Sequence, residues 1–187
     1  NSSIVSGHSY QTYEPGITIH MNGLYEHESK KTLALENNLI YLSKPLGVGY
    51  LLAAYFKNSD LLTSKDFNEV LLSMKLSNKN ASEIARKNQT RSMTDISGFG
   101  LASHLGDICK SSGLTANIHL DNKLLINSSL EILQKFQSTG YLGNYQSVSH
   151  DVYSSKNNPY LNILYDPQTN GPMLMIIDEN NKDIFEK

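Results

Sequence analysis

Tryptophan is absent from this 187-residue chain, and cysteine occurs once, at Cys109. A single thiol excludes an intramolecular disulfide and any cysteine-based zinc cluster, and it agrees with a reducing compartment, so the expected location is cytoplasmic. Charge of one sign is scarce as well. Lys and Arg number 16 against 18 Asp and Glu, for a formal net charge of −2. With no basic excess and no interleaving of aromatic and basic residues, nucleic acid is not an expected partner. Long apolar runs are missing too. Stretches such as Gly49-Tyr50-Leu51-Leu52-Ala53-Ala54-Tyr55-Phe56 fall far below the ~20 residues needed to cross a bilayer, and no signal-peptide pattern precedes them, so no membrane partner is expected. What remains is the profile of a soluble globular protein, 39% apolar and 18% charged, long enough for one domain with a real core and short for two.

The most chemically loaded stretch is Met93-Thr94-Asp95-Ile96-Ser97-Gly98-Phe99-Gly100-Leu101. It sets a carboxylate, two hydroxyls and two glycines directly ahead of a helical run, His104-Leu105-Gly106-Asp107-Ile108-Cys109. Two readings follow. Asp95 is a plain helix cap, because the first N–H groups of a helix lack partners and accept a carboxylate oxygen. Alternatively, the glycines admit an anion close to the backbone, the positive helix end favours phosphate, and Asp95 holds the magnesium that accompanies it. Cys109, inside the helical run, reads as a buried apolar residue and not a nucleophile.

The rest of the chain alternates strand and helix signals. Residues 16–24 alternate apolar and polar residues, as in a strand with one buried face, and His20 falls on the polar side. A second strand over 38–43 ends in Lys44-Pro45-Leu46-Gly47, and a helix follows over 48–56. Lys44 at that turn either faces a phosphate or is an ordinary surface lysine. From Thr63 to about Asn88 the spacing of Phe67, Val70, Leu71 and Met74 is helical, with a Thr63 or Ser64 cap, Asp66 close by, and a break near Asn78. A helix from about Phe99 stops at Gly113. Residues 115–120 read as a strand, and a helix capped by Asn127 or Ser128 runs to Gly140. Residues 141–160 read as a long surface loop. Two last strands, 161–165 and 173–177, flank a connection in which Asp166 and Gln168 close a turn, and a final helix starts near Asp183. The fold class is α+β: a mostly antiparallel sheet of about four to six strands with helices packed on one face.

The order of these segments resembles selenophosphate synthetases (selenide, water dikinases), in the wider family that includes aminoimidazole ribonucleotide (AIR) synthetase. Thr94-Asp95-Ile96-Ser97-Gly98-Phe99-Gly100-Leu101 is similar to the signature of that family's second domain. Lys44-Pro45-Leu46-Gly47, Asp166-Pro167-Gln168-Thr169-Asn170-Gly171 and Ser6-Gly7-His8-Ser9 resemble its Lys-Pro-Leu-Gly turn, its Asp-Pro-Gln-Thr-Ser-Gly segment and its Gly-Gly-His phosphate loop. The family also has an Asn at the place of Asn78.

The resemblance implies an enzyme that uses ATP, water and selenide to make selenophosphate, AMP and phosphate, with Mg2+ holding the triphosphate. It implies ATP phosphate contacts at Ser6, Gly7, His8 and Ser9, and one metal ligand at Asp95. The family's reactive Cys or selenocysteine, its nearby Lys and most of its metal-binding aspartates belong to the first domain. The expectation is therefore one domain, residues 1–187, lacking that catalytic domain and the last helix and strand. It holds no complete active site, and its full-length form is a homodimer with ATP and selenide as partners. Two alternatives stand beside it. One is another ATP-dependent kinase or synthetase of the superfamily. The other is a non-catalytic module that kept the fold, motivated by Ser6 in place of the phosphate loop's first glycine, by Pro172 where the family has a second glycine near the end, and by the 141–160 loop.

Overall fold

In the computed structural model, residues 3–9, 11, 13–20, 22, 24, 34–88, 90, 92–126, 130–154 and 157–186 are described. The centre of the fold is β3 (Met173–Ile177), flanked antiparallel by β1 (Leu39–Leu42) and β2 (Ser92–Asp95). The sheet order is β1-β3-β2. Register fixes the faces, because successive side chains of a strand point to opposite sides. Ile40 pairs with Ile176 and Leu42 with Leu174, and all four point into the main core. Leu39, Tyr41, Met175 and Ile177 point the other way, into a smaller cluster.

The main core lies between the sheet and a layer built from α1 (Val48–Phe56), α2 (Ser64–Lys75), α4 (Gly100–Ser112) and α5 (Leu130–Lys135). Leu46, Leu51, Val70, Ile132, Ile163 and Leu174 are wholly buried there. Each such side chain contributes about 1.5–3 kcal/mol relative to an exposed position. The α+β architecture with an antiparallel sheet is thus the one expected. Beyond the expected single helical layer, Ala81 and Ala85 of α3 (Lys79–Lys87) and Phe185 of α7 (Lys182–Phe185) pack on the second face.

Helix boundaries follow local chemistry. Thr63 caps α2 in a reciprocal box, its hydroxyl accepting from Asp66 N–H at 3.2 Å while the Asp66 carboxylate accepts from Thr63 N–H at 2.8 Å. The break between α2 and α3 falls at residues 76–78, a little ahead of the expected Asn78-Lys79-Asn80-Ala81, whose last three residues open α3, and α4 stops at Gly113 as the sequence implies. The cap expected at Asn127 or Ser128 lies outside the described residues.

Several strand and loop expectations are corrected. Residues 161–165 form a 3-10 turn, Leu161–Tyr165, with Ile163, Leu164 and Tyr165 buried. A short apolar run carries no information that separates a buried strand from a buried helical turn. Within 141–160, Tyr141–Val148 is a helix, α6, and not a loop. Residues 115–120 lie in no helix or strand, and neither do the described residues of 16–24, with Ile17 and Ile19 exposed. Alternation records which side of a chain is apolar; a strand also needs a hydrogen-bonded neighbour, and neither segment has one among the described residues. Among the described residues the sheet therefore has three strands where about four to six were expected. A groove of about 820 Å3 runs between β1 and residues 114–119, lined by Ile40, Leu42, Leu105, Ile108 and Ile118.

Candidate functional site

Three of the four motif segments meet at one end of the sheet. Asp95 closes β2 opposite Met173, and the chain then turns through Ile96, Ser97, Gly98 and Phe99 into α4. The base of this loop is fastened to the last motif: Ile96 N–H donates to Pro172 O at 2.9 Å, and Gln168 N–H donates to Ser97 O at 3.1 Å. The two backbones also approach closely. A Cβ on Gly171 would collide with Ile96 O, and one on Gly100 would lie 2.9 Å from Leu164 O. Pro172, whose missing N–H removes a possible anion donor, uses its carbonyl as the anchor.

The same C-terminal turn holds the Lys-Pro-Leu-Gly segment. Gln168 Oε1 accepts from Gly47 N–H at 3.1 Å and Val48 N–H at 3.2 Å, and Asp166 Oδ2 accepts from Gly49 N–H at 3.0 Å. Together they satisfy the N–H groups that open α1, which has no cap from its own sequence. Asp166 and Gln168 thus do more than close a turn. Asn78 adds a further tie, donating to Gly171 O at 2.8 Å and accepting from the Ser43 hydroxyl at 3.1 Å.

Lys44 matches neither of its two readings. It is buried, and its ammonium donates to Ser73 O at 3.0 Å and Leu76 O at 2.8 Å, closing the carboxyl end of α2. Burial lowers its pKa from the usual lysine range. Cys109 packs half-buried against the main core, and burial raises its thiol pKa, which suits the apolar role.

Asp95 is different. It is exposed, and among the described residues no hydrogen bond or ion pair reaches its carboxylate. Phe99 stands at the N-cap of α4, where no side-chain cap bond is made, so Asp95 does not cap that helix. An unengaged carboxylate at the end of a strand, beside a fastened loop, is the donor type a hard cation accepts, and it fits magnesium as one ligand. Among the described residues no group of three His, Cys, Asp or Glu stands together to hold a metal. Ser6, Gly7, His8 and Ser9 are exposed and outside any helix or strand. No hydrogen bond among the described residues brings them to Asp95.

Two site residues carried no functional expectation from sequence. His104, buried on α4, accepts from Ser97 N–H through Nε2 at 3.3 Å and lies 3.3 Å from the Ser97 hydroxyl. Asn144, buried on α6, donates to Gly98 O at 2.8 Å and Tyr165 O at 3.0 Å. The helical spacing of Leu101, His104, Leu105 and Ile108, and of Tyr141, Tyr145 and Val148, was the available signal that both face inward.

Residues 36–187 match the family described as AIR synthase related protein, C-terminal domain. The chain belongs to this family. AIR synthase related C-terminal domains therefore account for the whole sheet and its helices, while Ser6 to Ser9 precede the matched span. The chain is similar to the selenide, water dikinase of Sulfurimonas denitrificans, at 26% identity over 98% of this chain and 54% of that protein. It is 31% identical to that of Dechloromonas aromatica, over 92% of this chain and 50% of that protein, and 30% identical to that of Cronobacter sakazakii, over 94% and 51%. The chain thus spans about half the length of these relatives. The crystal structure of thiamine-monophosphate kinase from Stenotrophomonas maltophilia K279a shares the fold. It superposes with a TM-score of 0.58 over 84% of this chain and 45% of that one, at 14% identity.

Proposed function

We propose that this chain is the C-terminal half of a cytoplasmic, ATP-dependent selenide, water dikinase that acts as a homodimer, and that Asp95 contributes one carboxylate to the magnesium bound with the ATP phosphates. The observation that carries the reading is the state of Asp95: exposed, without a hydrogen-bond or ion-pair partner among the described residues, and set at the end of β2 where the chain enters a loop tied to the neighbouring motifs through Ile96 and Ser97. A carboxylate that served only folding would be engaged, as Asp66 and Asp166 are. The similarity of nearly the whole chain to selenide, water dikinases supports the substrate assignment.

The division of labour follows from what these residues are. Magnesium, when bound, neutralises phosphate charge and draws it off the reacting phosphorus. Asp95 orients that charge from one side, with the remaining protein ligands supplied by the other half of the protein. Ser6, Gly7, His8 and Ser9 offer backbone and side-chain donors to the ATP phosphates. The reactive Cys or selenocysteine and its nearby Lys belong, on this reading, to the other half of the protein.

The test is Asp95→Asn in the full-length protein. That change keeps an oxygen acceptor and removes the charge a hard cation requires. AMP release from ATP and selenide across a magnesium series is expected to fall by at least about tenfold, or ~1.4 kcal/mol of transition-state stabilisation, with the protein still folded. Unchanged turnover at every magnesium concentration overturns the assignment.

A further inference from the structure

Four backbone contacts fasten the loop between β2 and α4. Ile96 N–H reaches Pro172 O, Ser97 N–H reaches His104 Nε2, Ser97 O receives Gln168 N–H, and Gly100 N–H returns to Ser97 O at 3.1 Å. All of them hold Ile96, Ser97 or Gly100. The apex, Gly98, is exposed, and a Cβ built there would meet nothing within 4 Å, so packing does not hold it. Among the described residues the apex is reached by a hydrogen bond from a helix 46 positions away in sequence, where Asn144 Nδ2 donates to Gly98 O at 2.8 Å.

We infer that Asn144 is a positioning residue for Asp95, acting through the Gly98 carbonyl. The inference rests on the magnesium reading of Asp95 and adds the group that sets the shape of its loop. The chemistry of the clasp specifies an asparagine. One buried NH2 group spends its two hydrogens on two carbonyls, Gly98 O at 2.8 Å and Tyr165 O at 3.0 Å. A hydroxyl has one hydrogen to give, and a carboxylate has none. The base of the clasp is rigid: Tyr141 and Tyr145, on either side of Asn144, meet the Tyr165 ring edge-on at 6.1 and 5.1 Å. Tyr141 is further fixed by its hydroxyl, which donates to Asn162 Oδ1 at 2.7 Å. Asn144 therefore joins the loop that follows Asp95, the last residue of β2, to the Leu161–Tyr165 turn, which leads directly into the Asp166 and Gln168 cap of α1. Magnesium demands near-ideal octahedral geometry, so a ligand at the foot of a loop with a loose apex loses affinity even when its carboxylate is intact.

The experiment compares four full-length variants, Asn144→Ala, Asn144→Asp, Asp95→Asn and the Asn144→Ala/Asp95→Asn pair, by AMP release across a magnesium series at saturating ATP. Asn144→Ala and Asn144→Asp are expected to raise the half-saturating magnesium concentration by about 10-fold or more, the usual scale for residues that orient a metal ligand. In the pair, Asn144→Ala is expected to add nothing to the Asp95→Asn shift. A purely structural asparagine lowers the urea midpoint and leaves the magnesium dependence where it was, and that result overturns the inference. If Asp95→Asn itself leaves the magnesium dependence unchanged, the magnesium reading fails first. If Asp95→Asn shifts it and neither Asn144 variant does, only the inference fails. Should both Asn144 variants fail to fold, the wild-type protein gives the answer by nuclear magnetic resonance. The Asn144 side-chain amide signals are expected to move when magnesium and ATP are added, and to stay put in Asp95→Asn; signals unmoved in the wild type overturn the inference.

Discussion

Asp166 and Asp95 are carboxylates near the same end of the sheet with opposite circumstances. Asp95 is exposed and unengaged, whereas Asp166 is 1% exposed and caps α1 through Gly49. Burial pushes the Asp166 carboxyl up to about 7, against the pull of hydrogen bonds from Gln168, Gly49 and Tyr50, and its Oδ1 has no hydrogen-bond partner. The consequence for stability has a definite sign. Below the ordinary value of 3.8 both folded and unfolded chains hold the proton; between 3.8 and about 7 only the folded chain does. Folding then binds a proton, so this group's contribution falls as pH rises through that window and is level above it. The loss is on the order of 4 kcal/mol if the whole shift is realised. Asp166→Asn, which keeps an acceptor for Gly49 and never ionises, is expected to gain stability relative to wild type as pH rises from 4.5 to 7.5. Urea midpoints measured at both pH values check this, and a difference between the two proteins that does not change with pH contradicts it.

At the scale of elements, α4 shows how one helix serves both core and site. Its start is set by Gly100, which has a φ of 76° and backs onto the Leu164 carbonyl and the Tyr165 backbone. Gly106, in the middle of the same helix, has open space where a Cβ would go. The same substitution should therefore act in opposite directions. Gly100→Ala is expected to destabilise by about 2 kcal/mol or more, through backbone strain and collision with unyielding backbone atoms. Gly106→Ala is expected to stabilise by roughly 0.5–1 kcal/mol through helix propensity. Equal effects in urea unfolding would show that the tight seat at Gly100 does not govern the helix start. The elements also mark how far sequence reading reached. The period of α2 with its Thr63 box and the end of α4 at Gly113 were legible because each is dictated by neighbours in the chain, and β1 and β3 because their two apolar runs are each other's ladder partners. Residues 115–120 and 161–165 were misread because strand identity depends on a distant partner. The helix α6 was missed because Gly143, Asn144 and Ser147 dilute the apolar spacing of Tyr141, Tyr145 and Val148, and its inward face is settled by Tyr165.

At the scale of the molecule, the described residues gather three motif segments but not a complete site for phosphoryl transfer, since Asp95 stands without a second metal ligand and Ser6 to Ser9 are joined to nothing nearby. The isolated 187-residue chain is accordingly expected to release no AMP from ATP, with or without selenide, and to bind magnesium weakly at most, because one carboxylate does not complete an octahedral shell. Selenide-dependent AMP formation by the purified chain would contradict this. By itself the sequence determined the class of fold and the family, since alternation, capping and motif order are written along the chain. It left Asp95 open between cap and metal ligand, and it gave Lys44, Asn144 and Gln168 no firm place. Only the tertiary structure decided that Lys44 closes α2, that Gln168 and Asp166 open α1, and that Asn144 clasps Gly98. Those bonds join residues 29 to 121 positions apart, and a hydrogen bond over such a separation is fixed by how the helices seat on the sheet.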